Sequence, residues 1–236
     1  MKTRFWEIDS LRGIAILMMI IFHFLYDLNV FGNYNFNLYS GFWWLFARIT
    51  AAIFILLVGI SLTLSYSRTK APFTKYLKRG IKIFSWGLLI TLATWLFLRN
   101  GFIIFGVLHF IGIAIIIAYP LIRLRIKNLI LGIFIIFIGI YLSSFAFNFS
   151  YLLWLGFVPY NFYTFDYFPI LPWFGVILIG IFLGNKLYPN AKRAFSIIDL
   201  SKFRVIKLLS FLGRHSLFIY LLHQPVIIII VNIFIL

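Results

Sequence analysis

The chain has 236 residues, of which 64% are hydrophobic and only 11% charged. A water-soluble domain is about half apolar and about a quarter charged, so lipid must be the solvent for much of this chain, and an ordinary soluble enzyme is excluded. The chain has no cysteine, which rules out disulfides, thiolate metal sites and cysteine nucleophiles; the net charge of +16 does not indicate nucleic acid, because the basic residues sit between apolar runs, as membrane topology requires.

From the N-terminus, the apolar runs lie near Gly13–Val30, Trp43–Leu64, Ile81–Leu98, Ile103–Ile122, Leu129–Phe147, Phe168–Leu187 and Leu217–Leu236. Each can cross the ~30 Å hydrocarbon layer as a helix. They are too long and too uniformly apolar for barrel strands. The first is followed by no small-residue cleavage signal and reads as a retained helix. The predicted fold is therefore an all-α integral membrane protein, a single domain over residues 1–236 with about seven transmembrane helices. Two segments stand apart. Ser150–Tyr160 is apolar but short and suits an interfacial or re-entrant position. Ile197–Leu212 reads as an amphipathic surface helix, with Lys202 and Arg204 toward headgroups and Leu200 and Phe203 inward.

The charges orient these spans. Lys2, Arg4 and Arg12 open the chain, a basic group from Arg68 to Lys82 follows the second span, Arg123, Arg125 and Lys127 follow the fourth, and a third group from Lys186 to Arg214 precedes the seventh. The alternate loops hold only Arg48 and Arg99. This asymmetry predicts a cytoplasmic N-terminus and an outer C-terminus in a multi-pass protein of the cytoplasmic membrane. The aromatic residues, 21% of the chain, suit lipid-facing surfaces and interfacial belts.

Ionisable residues at membrane depth are costly and are functional candidates. The first span carries Glu7, Asp9 and Arg12 at its inner end, then His23 and Asp27. Arg12 and His23 share one helix face, ~16 Å apart along the axis, and Asp27 continues that face one turn on. A neutral imidazole there can take a proton from an attacking hydroxyl or amine, a carboxylate can orient it, and an inner arginine can hold a phosphate. A structural reading, with His23 bonded to a neighbouring helix and Arg12–Asp9 as an interfacial ion pair, fits the same spacing equally well. His109 stands at the outer start of the fourth span, and Arg48 and Asp166 at outer ends. His215 reads as interfacial. His223 and Gln224 precede Pro225, which frees a backbone carbonyl that either can satisfy. Gly175, Gly180 and Gly184 read as helix-packing points. No P-loop, HExxH or GxSxG motif is present.

The run Glu7-Ile8-Asp9-Ser10-Leu11-Arg12-Gly13-Ile14-Ala15, continuing to Phe22-His23-Phe24-Leu25-Tyr26-Asp27-Leu28, resembles the opening of a short prokaryotic membrane family similar to the catalytic domain of heparan-alpha-glucosaminide N-acetyltransferase. Further stretches agree in order: Phe46-Ala47-Arg48, Phe54 through Leu62, Gly106-Val107-Leu108-His109-Phe110-Ile111-Gly112, Asp166 through Gly175, and Phe211 through Pro225. The Arg12–His23 spacing also resembles the arginine–histidine signature of the wider membrane acyltransferase superfamily. The resemblance implies acetyl-CoA or another acyl-CoA as cytosolic cosubstrate and a glycan or glycolipid acceptor on the other side. It makes His23 the base or acyl-accepting residue with Asp27 beside it, and direct attack with His23 as base is the expected route. It places Arg12 near the donor; with that start, Asp9, His223 and Arg214 are expected toward acyl-CoA as well, and Arg48, His109 and Asp166 around the acceptor. No metal and no nucleic acid are expected; the lipid bilayer and a second copy of the chain, as a homodimer, are the expected partners. A transporter of a small anion or glycolipid using the same polar stripe is the alternative, and a non-catalytic membrane scaffold a third.

Overall fold

The computed structural model describes residues 4–32, 34–98 and 100–234. Lys2 and Arg99 of the charge pattern, and the Leu236 end of the last apolar run, lie outside the described residues. Those residues form eight α-helices and no strand: α1 Trp6–Phe31, α2 Gly41–Thr69, α3 Phe73–Leu98, α4 Val107–Ala118, α5 Ile126–Leu142, α6 Ile170–Leu187, α7 Arg204–Arg214 and α8 Ser216–Phe234.

Every apolar run forms a helix, but five rather than seven are long and apolar enough to cross a membrane: α1, α2, α3, α6 and Ser216–Ile233 of α8. The other two are shorter for local reasons. α4 has 12 residues and gives way to a 3-10 turn containing Pro120, which has no N–H to donate. Its start is delayed to Val107 because residues 101–105 run extended beside residues 165–168, with Phe165 N–H donating to Gly101 O and Phe168 N–H to Phe105 O. α5 has 17 residues and stops at Leu142, where Ser144 N–H and Phe145 N–H turn back onto the Tyr141 and Leu142 carbonyls. Ser150–Tyr160 forms a loop with a 3-10 turn at Leu153–Leu155, closed by hydrogen bonds from Phe147 N–H to Val158 O and from Tyr160 N–H to Phe147 O. The expected amphipathic helix begins at Arg204, later than Ile197, after an Asp199-capped turn at Ser201.

The chain divides into two compact units. One comprises the residues up to Phe54 together with those from Ile197 onward; the other is Ile55–Ser196. In the first unit, α1 packs against α7 at its start and against α8 farther along. The α1–α8 contact is apolar, built on Leu28, Ile227 and Val231 with Ile20, Phe24 and Leu25 around them. The α1–α7 contact is nearly backbone to backbone. A Cβ at Gly13 would overlap the Leu209 carbonyl, and one at Gly213 would overlap that of Asp9. Ser10 and Ser210 share a hydrogen bond of 2.8 Å across this contact. At the far end of α1, Asn29 clasps Phe36 through both its side-chain amide groups, at 2.7 and 2.8 Å.

In the second unit, α3 pairs with α4 and α5 with α6. The glycines of α6 are packing points, as their spacing predicts: Gly175 faces the Gly132 carbonyl of α5, while Gly180 and Gly184 face Leu56 and Thr63 of α2. Small residues at such positions let helices approach closely in lipid, where dispersion contacts replace the hydrophobic effect.

Candidate functional site

The inner end of α1 carries an ion-pair cluster. Arg12 donates to Asp9 at 3.1 Å, one turn back on the same face, and lies 3.5 Å from the Gly213 carbonyl of α7. Arg4 approaches the other Asp9 oxygen at 3.9 Å. A cavity of ≈ 220 Å³ opens beside the cluster, lined by Arg4, Asp9, Lys207 and Arg214, with Trp6, Ser201 and Ser210 completing its wall. Arg214 holds its guanidinium there with a bond from Nε to the Ser210 carbonyl at 3.2 Å. This end of the unit offers cations in excess of carboxylate, as a phosphate-bearing ligand requires.

Farther along α1, His23 meets α8. Its ring lies 4.8 Å from that of His223, tilted by 66°, and 6.0 Å from Phe22. His223 Nδ1 sits 2.6 Å from the Tyr220 carbonyl. A carbonyl can only accept, so Nδ1 carries the proton, and in the neutral ring Nε2 is left as a bare acceptor. That Nε2 is buried and without a hydrogen-bond partner among the described residues. One residue on, Gln224 donates its amide to both oxygens of Asp27 at 2.8 Å, and its own Oε1 is buried without a partner. Asp27 is 1% exposed.

The structure thus brings His23, Asp27 and His223 into one α1–α8 contact, with partners the sequence did not predict. Among the described residues no hydrogen bond joins His23 to Asp27; the carboxylate is fixed by Gln224. Among the bonds of the described residues, neither of the two residues before Pro225 reaches the Leu221 carbonyl that the missing Pro225 N–H leaves free: His223 bonds the Tyr220 carbonyl and Gln224 bonds Asp27. Gln224 is the residue that sequence reasoning missed as a site member. Its only local signal is its position beside a histidine and a proline within an apolar run.

The three residues expected around the acceptor fall in both units. Arg48, on α2 in the first, stacks its guanidinium 5.2 Å from the Trp44 ring centre. His109 and Asp166, in the second, both act on the start of α4. His109 Nδ1 accepts from Gly106 N–H at 3.2 Å, which leaves the proton on Nε2, 3.3 Å from Thr91 Oγ1. Thr91 in turn donates its hydroxyl to the Ile103 carbonyl at 2.6 Å. Asp166 accepts from Val107 N–H at 3.0 Å. These two side chains satisfy N–H groups that a helix start leaves unbonded, and the carboxylate also favours the positive end of the helix dipole. Thr164, bonded to the Phe102 carbonyl at 2.8 Å, ties the same two segments together. Nearby, Tyr167 donates to the Leu153 carbonyl at 2.8 Å, and burial pushes its phenol above the ordinary range. His215, at the α7–α8 turn, is exposed and bonds back to Phe211 O at 2.9 Å. No cluster of metal-ligating side chains occurs among the described residues.

No curated protein and no solved structure matches the chain. The family model described as heparan-alpha-glucosaminide N-acetyltransferase, catalytic, matches residues 4–225. That match runs from the ion pairs of α1 through Pro225, and so includes His23, Asp27, His223 and Gln224: the chain belongs to the heparan-alpha-glucosaminide N-acetyltransferase catalytic family.

Proposed function

We propose that this protein is a transmembrane acyltransferase that moves an acetyl or short acyl group from cytosolic acyl-CoA to a hydroxyl or amino group of a sugar, on a glycan or glycolipid, on the extracytoplasmic side. The observation that carries the reading is the His23–His223 pair, set beside the Asp27–Gln224 pair on α1 and α8, within a chain of an acetyltransferase family. In the proposed step the acceptor oxygen or nitrogen attacks the thioester carbonyl carbon. His23 takes the acceptor's proton, the carbon–sulfur bond breaks, and the imidazolium returns the proton to the departing CoA thiolate. No metal enters this chemistry. Asp27, held by Gln224, supplies negative charge near the imidazolium as it forms.

Two unfilled acceptors, His223 Nε2 and Gln224 Oε1, suit a ligand that brings N–H donors. The pantetheine arm of CoA carries two amide N–H groups, which supports His223 as a donor-binding residue. At the cytosolic end, Arg12 with Asp9, and Arg214, would face the CoA phosphates. Arg48 in the first unit, and His109 and Asp166 in the second, are each assigned to the acceptor, the last two by holding residues 101–107 in place. The proposal includes seven spans, with α4 and α5 completing the set, in the cytoplasmic membrane with the N-terminus inside and the C-terminus outside, and a homodimer as the assembly.

The test is acetyl-CoA binding to the purified protein by calorimetry, paired with transfer of labelled acetyl to amino-sugar and sugar acceptors. Wild type should bind, Arg12→Ala should weaken binding by about tenfold, the worth of a charge-assisted contact, and His23→Ala should bind yet not transfer. Absence of binding by folded wild-type protein would overturn the donor half of the reading.

A further inference from the structure

Helix α7 presents three kinds of surface at once. Gly213, Ser210 and Leu209 turn toward α1, where the two backbones touch. Val205, Leu208 and Phe211, spaced three residues apart on another side, are 67%, 59% and 50% exposed. Lys207 and Arg214 lie between these sides and face the cavity shared with Arg4. A helix with one face packed on protein, one face apolar and open, and a basic edge between them suits the boundary between hydrocarbon and headgroups. α8 begins two residues after α7 ends and also exposes apolar side chains at its start, Leu217 and Phe218.

The cavity sits at that basic edge. Asp9 is the carboxylate in its wall, and it is engaged by Arg12 from behind. Arg4, Lys207 and Arg214 therefore give the cavity a net positive charge, and the hydroxyls of Ser201 and Ser210 and the indole of Trp6 line the rest. The Trp6 Nε1 is buried without a partner among the described residues. This is the chemistry that holds a phosphate flanked by hydroxyls. We propose that α7 lies in the membrane–water interface and that the cavity between α1 and α7 binds the phosphate of an anionic phospholipid headgroup, whose acyl chains run along Val205, Leu208 and Phe211. The site goes beyond the acyltransfer reading: it uses Arg4 and Lys207, which that reading leaves idle, and it shares the lining residues Asp9 and Arg214 with it.

The experiment is native mass spectrometry of delipidated full-length protein titrated with phosphatidylglycerol or phosphatidylcholine. Wild type is expected to prefer phosphatidylglycerol by about tenfold or more, since each basic side chain near a headgroup contributes about fivefold. Arg4→Gln with Lys207→Gln should bring the two lipids to within about twofold. Neutralising Lys75 and Lys78, exposed in a different basic segment, should leave the preference intact. Equal binding of both lipids by wild type overturns the proposal, as does an Arg4→Gln/Lys207→Gln protein with undiminished preference. Displacement of the lipid by excess CoA also overturns it, by assigning the cavity to the acyl donor. If the double variant does not fold, salt decides on wild type alone: at ~1 M, where screening falls to ~3 Å, the preference should collapse, and a preference unmoved by salt overturns the proposal. Failure of acetyl-CoA binding would count against the enzyme reading and leave this one standing.

Discussion

Two polar constellations in this protein are each built around a histidine in an apolar helix and end in opposite states. Around His109, each partner is supplied. One ring nitrogen accepts from the Gly106 N–H, the other meets Thr91, and Thr91 donates its hydroxyl to a carbonyl. Around His223, the chain stops short. Among the described residues one ring nitrogen is bonded and the other is not, and the neighbouring Gln224 holds a carboxylate while its own oxygen has no partner. An unfilled acceptor in a low-dielectric interior costs about 1–3 kcal/mol. Two of them on adjacent residues are tolerable where a ligand completes them. In the proposed function His109 holds the fold while His23 and His223 serve the chemistry, and His109 is fully buried where the pair is only partly so.

The sharpest way to break this contrast is His23→Ala. Among the described residues no hydrogen bond ties the proposed base to the fold, and its removal should reduce the transfer rate by about 10²–10⁴-fold. The unfolding temperature should remain close to that of wild type. Transfer at the wild-type rate would reduce the His23–His223 contact to ring packing.

Next in size is Gln224→Leu, read by thermal unfolding in detergent. Both Asp27 oxygens depend on the one Gln224 amide, so the variant leaves a carboxylate buried without that partner. A loss of about 3 kcal/mol is expected. Asp27→Asn added to Gln224→Leu should restore much of this, because the amide carries no charge to strand. A double variant no more stable than Gln224→Leu would mean that Asp27 has another source of stabilisation.

Much of the first unit was legible in the sequence, and the reason is local periodicity. Asp9 with Arg12, and His23 with Asp27, lie three and four residues apart, so a helix places each pair on one face. The glycines of α6 announced close packing by the same logic. Partners distant in the chain were not legible. Asp27 and Gln224 are 197 positions apart, and nothing in an apolar run says which polar residue opposite will meet a given carboxylate. The same limit hid the work of His109 and Asp166. Both were singled out as ionisable residues near a helix end, but the backbone N–H groups they satisfy depend on where α4 begins. Hydropathy set that start near Ile103, whereas pairing of residues 101–105 with 165–168 moves it to Val107. Span lengths for α4 and α5 were overestimated for this reason too, since hydropathy continues through turns that hydrogen bonding and Pro120 impose.

The smallest effect tests the closed constellation. Thr91 Oγ1 lies 3.3 Å from His109 Nε2 and 2.6 Å from the Ile103 carbonyl, so Thr91→Val keeps the shape of the side chain and removes both interactions. The loss should be about 1–2 kcal/mol, the worth of a buried polar group left unpaired after partial relaxation. Acyl transfer should stay within about twofold of wild type, because the Nδ1 bond to Gly106 still holds the imidazole and the start of α4 keeps Asp166. A large fall in transfer with little change in stability would reverse the assignment. It would place His109 in the chemistry, with Thr91 as the group that sets its tautomer, and the distinction between filled and unfilled histidines would no longer sort the two regions.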